Sequence, residues 1–89
     1  MGRWNMADSI LKGKRILAVD DEPDVLETFR EMVLIDVPDC HIDEALTYEA
    51  AIDLIQAGTY DLVVLDIMGV RGFDLLEAAV KRNFKVAML

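Results

Sequence analysis

Four short apolar runs, separated by stretches of helical period, organise the 89 residues. Ile16 to Val19 follows the basic Lys12-Gly13-Lys14-Arg15 and gives way at once to acids, which suits a strand buried on both faces of a sheet. Cys40 to Ala45 forms a weaker strand. Leu62-Val63-Val64-Leu65 is the clearest buried strand and stops at Asp66. Phe84 to Leu89 is the fourth run.

Between the strands the period changes to that of a helix. Pro23 suits a first helical turn, where its missing N–H has no partner to lose. Val25, Leu26, Phe29, Met32 and Val33 then share one face, and Val37-Pro38-Asp39 ends the helix. Thr47 reads as the N-cap of a second helix, with Ala51, Leu54 and Ile55 inward and Gly58 just past its end. A glycine-bearing loop, Met68-Gly69-Val70-Arg71-Gly72, leads to a third helix with Phe73, Leu76, Ala79 and Val80 expected inward. Alternating strands and helices predict an α/β fold, a parallel sheet covered on both faces. Right-handed crossovers leave few ways to wind it.

The length holds one domain. It is read as a tail over residues 1–13 and a folded unit over 14–89. Seventeen acidic residues against nine basic ones give a net charge of -8. That field repels phosphate backbones and anionic lipid, so no direct nucleic-acid or membrane binding is expected. The apolar runs fall far short of the roughly 20 residues of a membrane span. One cysteine, Cys40, excludes an internal disulfide, and the cytoplasm is the expected compartment.

The placement of the acids is the chemical clue. Asp20-Asp21-Glu22 directly follows the first buried strand, and Asp66 directly follows the third. Ligands of open parallel sheets bind outside the carboxyl ends of the strands, where strand order reverses. If the first and third strands are neighbours, these carboxylates converge, and converging carboxylates call for a cation. Hard oxygen ligands with room for water suit Mg²⁺. Glu22 is better read as a turn and cap residue, whereas Asp20, Asp21 and Asp66 are read as a site.

At these residues a family resemblance enters. Lys14-Arg15-Ile16-Leu17-Ala18-Val19-Asp20-Asp21-Glu22-Pro23 resembles the opening of the receiver domain of two-component response regulators. Tyr60-Asp61-Leu62-Val63-Val64-Leu65-Asp66-Ile67-Met68 resembles that family's phosphoacceptor strand. The resemblance implies a flavodoxin-like doubly wound parallel sheet of order 2-1-3-4-5, here with four strands and three helices. It implies that Asp66 accepts a phosphoryl group from a histidine kinase or phosphotransfer protein. It further implies that Mg²⁺ is held by Asp20, Asp21, Asp66 and the backbone carbonyl of Met68. Such a domain is a signalling module rather than an enzyme.

The chain departs from the family pattern in two places. The loop Met68 to Gly72 is shorter than usual and lacks a proline, which bears on access to Asp66. Arg71 in that loop is either turned to the phosphate or solvated. The family also places a Ser or Thr after its fourth strand and a Lys after its fifth, and neither position falls within these residues. Lys81 and Lys85, on the third helix and at the fourth strand, do not replace that lysine. A fourth strand with an open edge leads to the expectation of a homodimer. The alternative function is therefore a phosphorylation-incompetent interaction module that dimerises.

Other classes lack their motifs. No Gly-Lys-Ser/Thr turn follows a strand, acids stand where a dinucleotide fold needs glycines, and Met68 occupies the position of a dehalogenase-type phosphatase's second aspartate. His41 is expected at the surface, Cys40 as a small apolar filler, and Met68 and Met88 as loop and core. Trp4 belongs to the tail. The pairs Asp43-Glu44 and Lys81-Arg82 are expected on solvated faces.

Overall fold

The computed structural model describes residues 13–66 and 71–88. The 1–12 part of the expected tail, including Trp4, and the loop residue Met68 lie outside the described residues. The chain runs β1 (Arg15–Val19), α1 (Pro23–Asp36), β2 (His41–Ala45), α2 (Tyr48–Ala57), β3 (Leu62–Leu65), α3 (Gly72–Lys81) and β4 (Lys85–Met88). The four strands form one parallel sheet in the order β2-β1-β3-β4. Ile16 pairs with Ile42 on one side and Leu62 on the other, and Val19 pairs with Ala45 and Leu65.

Strand alternation divides the core between the two faces. Leu17, Val19, Val63 and Leu65 point to the side covered by α2 and α3, where they meet Ile55 and Leu75. Ile16, Ala18, Ile42 and Val64 point to the side of α1 and meet Leu26 and Val37. Cys40 is buried in this second cluster, and burial, followed by the nearby Asp61 charge, pushes its thiol pKa up.

Local chemistry sets the helix ends. Pro23 opens α1 after an extended Glu22 whose side chain makes no cap. The Thr47 hydroxyl accepts the Ala50 N–H at 3.1 Å, as its cap position predicts. At the end of α3, Asn83 adopts a left-handed backbone (φ 62). The Phe84 N–H then reaches back to the Ala79 carbonyl at 3.0 Å. Asparagine thus supplies the stop that glycine usually provides.

Two helical faces differ from the sequence expectation. In α1, Leu26 is buried and Phe29 and Val33 half-buried, but Val25 and Met32 are 40% and 64% exposed. The apolar stripe is wider than the contact: α1 meets the sheet along Leu26, Phe29 and Val33, and among the described residues no second helix packs on its flank. In α3, Phe73 and Val80 are 66% and 55% exposed, while Gly72, Leu75 and Ala79 are buried. Ala79 and Leu76 face the core as expected, and Leu75 rather than Phe73 is buried with them.

Candidate functional site

β1 and β3 are adjacent, so the residues that follow them emerge side by side at the carboxyl edge of the sheet. The ladder continues one step past each strand. The Asp20 N–H donates to the Ala45 carbonyl at 3.1 Å, and the Asp66 N–H to the Val19 carbonyl at 3.3 Å. Asp20 is buried, Asp66 half-buried and Asp21 exposed. The Asp20 carboxylate also accepts the Glu22 N–H through Oδ1 at 2.9 Å, which turns the chain toward α1 and fixes the side chain. Glu22 itself takes the N-cap position.

One carboxylate oxygen from each of Asp20, Asp21 and Asp66 lies within 4.8 Å of the others. Two oxygens on opposite sides of one Mg²⁺ stand about 4.2 Å apart, so this span closes on an ion with only small side-chain movement. The donor set is entirely hard oxygen and partly open to solvent, which fits a cation that keeps several of its waters. The structure thus brings together all three of the predicted side-chain ligands that it describes. Met68 lies outside the described residues.

The remaining polar residues sit elsewhere. Lys85 pairs with Leu62 at the amino edge of the sheet, and Lys81 lies 3.8 Å from Glu77 on the exposed face of α3. His41 also lies at the amino edge, where it pairs in register with Arg15. Its ring is exposed, and Nε2 is 3.0 Å from Asp43 Oδ1.

Two residues expected on solvated faces, Asp43 and Arg82, do more, and Arg71 of the loop has described partners of its own. Asp43 is not on a solvated face: its Oδ2 accepts the Tyr60 hydroxyl at 2.6 Å and faces the Arg15 guanidinium at 3.6 Å. The Tyr60 hydrogen bond is the main influence that holds the Asp43 carboxyl below its usual pKa, although burial opposes it. Arg82 donates to the carbonyls of Gln56 and Gly58 at 2.8 and 2.9 Å and lies over the Phe84 ring. Arg71 Nε donates to Asp74 at 2.8 Å, and its guanidinium lies 3.9 Å from the centre of the Tyr48 ring. The only sequence signals for the last two were an arginine just past a helix end and an arginine three residues before an aspartate.

Comparison with known proteins agrees with this geometry. Residues 16–89 match the family model described as the response regulator receiver domain. Among solved structures, the chain is similar to a CheY-like response regulator receiver domain protein from Methanospirillum hungatei. That match has a TM-score of 0.74 and 26% identity, and covers 84% of this chain and 62% of the other. It is also similar to a chain of the complex between the histidine kinase ThkA and the response regulator protein TrrA. Here the TM-score is 0.71 and the identity 34%, with 84% of this chain and 66% of the other covered. The chain therefore spans just under two thirds of either solved relative. No curated protein matches it. Among the described residues, no helix is long and apolar enough to cross a membrane.

Proposed function

The chain belongs to the response regulator receiver domain family, and from that premise we propose that it takes a phosphoryl group onto Asp66 from a histidine kinase or phosphotransfer protein. The observation that carries this reading is the convergence of Asp20, Asp21 and Asp66 at the ends of adjacent strands. The reading takes residues 14–89 as the folded unit and the cytoplasm as its compartment, both as expected from the sequence. The kinase complex of the TrrA-containing structure supports a partner of that class.

An oxygen of the Asp66 carboxylate attacks the phosphorus of a phosphohistidine. The P–O bond forms as the P–N bond breaks, and the leaving imidazole nitrogen takes a proton from water. Carboxylates are competent nucleophiles toward phosphorus when held in line, and positioning supplies most of the rate in phosphoryl transfer. The β3 ladder to Val19 holds Asp66 in place. Asp20 and Asp21, with the Met68 carbonyl, would hold Mg²⁺. When bound, the ion offsets the charge of the phosphoryl oxygens.

The test is Mg²⁺-dependent labelling by a small acyl phosphate. Asp66→Asn, nearly isosteric but a far weaker nucleophile, is expected to eliminate a base-labile label, and Asp21→Ala is expected to abolish Mg²⁺ binding measured by calorimetry. Label that persists in Asp66→Asn would place the acceptor on another residue. The rival reading, a dimerising module that takes no phosphoryl group, has no specific observation in its favour, and it calls for no label at all.

A further inference from the structure

We propose that the outer edge of β2, with the groove between it and α1, is a docking site for an extended partner segment that alternates aliphatic and basic residues. None of the three clustered carboxylates lines this groove, so it stands apart from the phosphoacceptor chemistry.

β2 is an outer strand of the sheet and pairs on one side only, with β1. The His41 N–H donates to the Lys14 carbonyl, and the Ala45 carbonyl accepts the Asp20 N–H. The odd-numbered residues of β2 thus turn their main-chain groups inward. Those of Ile42 and Glu44, which alternate with them, face outward, where no described strand meets them. Such a row is a template for an added strand.

The two faces of this edge differ. Ile42 belongs to the core cluster on the α1 side and Ala45 to the cluster on the α2 side. On the α1 side a groove of about 390 Å³ is lined by Pro23, Leu26, Glu27, Arg30, Glu44 and Leu46. Leu46 leaves 44% of its surface exposed there, and the Arg30 guanidinium, 3.7 Å from the Glu44 carboxylate, offsets that charge. On the α2 side Asp43 presents a carboxylate that is 29% exposed. Successive side chains of an added strand fall on opposite faces. The matching segment therefore sets an aliphatic side chain over the groove and a basic one beside Asp43.

Charge selects the partner. Glu27, Asp39, Asp43 and Glu44 flank the edge, against the guanidinium groups of Arg15 and Arg30. Two copies of this chain joined at the same edge would set like charges opposite each other, which is destabilising. A basic segment meets the excess of acid instead.

The full chain is titrated with a capped peptide of alternating lysine and isoleucine, and amide hydrogen exchange is read by NMR. At a peptide concentration about ten times its Kd, exchange of the Ile42 and Glu44 N–H groups is expected to slow about tenfold. That of Asp43, which points inward, should not change. Leu46→Lys is expected to weaken binding about tenfold, as loss of an apolar anchor does, with little change in the melting temperature of the free chain. A peptide N-methylated on its edge-facing amides keeps the charge and side chains but cannot pair, and it should lose the protection. Equal binding of that peptide overturns the proposal, because attraction between opposite charges then suffices. Unchanged exchange at Ile42 and Glu44 overturns it as well. Protection of these two amides without peptide, growing with the concentration of the chain itself, gives the edge to a second copy and overturns the choice of partner.

Discussion

Tyr60→Phe isolates the hydrogen bond that staples β2 to the start of β3. The Tyr60 ring is buried, 3% exposed, and meets Phe84 edge-on at 6.0 Å, so phenylalanine keeps the packing. What is lost is the hydroxyl's 2.6 Å bond to Asp43 Oδ2. Hydrogen bonds to charged groups contribute about 1.5–3 kcal/mol. Asp43 retains Arg15, His41 and some solvent contact, so the lower end applies, about 1.5 kcal/mol at pH 7.

The same contact sets a pH dependence. Burial, followed by the Asp43 hydrogen bond and charge, raises the Tyr60 pKa from 10.0 to about 12. A raised folded-state pKa gives stability that is fully present below the unfolded value and is lost as pH rises toward the folded one. Between pH 10 and 12 wild type should therefore lose stability relative to Tyr60→Phe by up to about 1.4 kcal/mol per pH unit. The difference of about 1.5 kcal/mol should vanish near pH 11. For Asp43, whose pKa is lowered, the contribution is present above the unfolded carboxyl value and is lost as pH falls below it. The variant should thus also lose less stability in acid than wild type. Urea unfolding of both proteins from pH 3 to 11.5 measures each effect. Two stability curves that stay parallel above pH 10 would refute the reasoning.

Two further substitutions probe the packing. Arg82→Ala removes both carbonyl contacts that tie the end of α3 to the end of α2, and thermal unfolding should show a loss of about 1 kcal/mol that Arg82→Lys only partly recovers. At Gly58, a β-carbon would sit 3.0 Å from the Leu54 carbonyl oxygen and 3.0 Å from the Tyr60 ring, so Gly58→Ala should cost about 1–3 kcal/mol in urea unfolding despite the lower chain entropy of alanine.

How far the sequence could be read depended on how local each signal was. Asp20 and Asp66 each adjoin a buried run, and a parallel sheet puts the ends of such runs at one edge. Their convergence then followed from strand adjacency alone. Thr47 could be read as a cap for the same reason, since its bond closes within three residues. The inner face of α3 could be read only in part: Ala79 is buried and Leu76 packs against the core as expected, but Phe73 and Val80 are exposed and Leu75 takes a buried place, a choice of rotation about the helix axis that the stripe alone does not make. Bonds between distant elements were hidden for a different reason. Tyr60 to Asp43 spans 17 positions and Arg82 to Gly58 spans 24, and neither has a local pattern.

The bonds that escaped the sequence reading have a common location. Asp43 with Tyr60, and Arg82 with Gln56 and Gly58, lie toward the amino edge of the sheet, where β3 begins and α2 and α3 end. The carboxylate cluster lies at the opposite edge and is held mainly by backbone ladder bonds. Three carboxylates within 4.8 Å repel one another and are a poor foundation for stability. Side-chain staples at the far edge let the fold hold together without their help. The acids at the carboxyl edge are then left for the cation and the phosphoryl group proposed above.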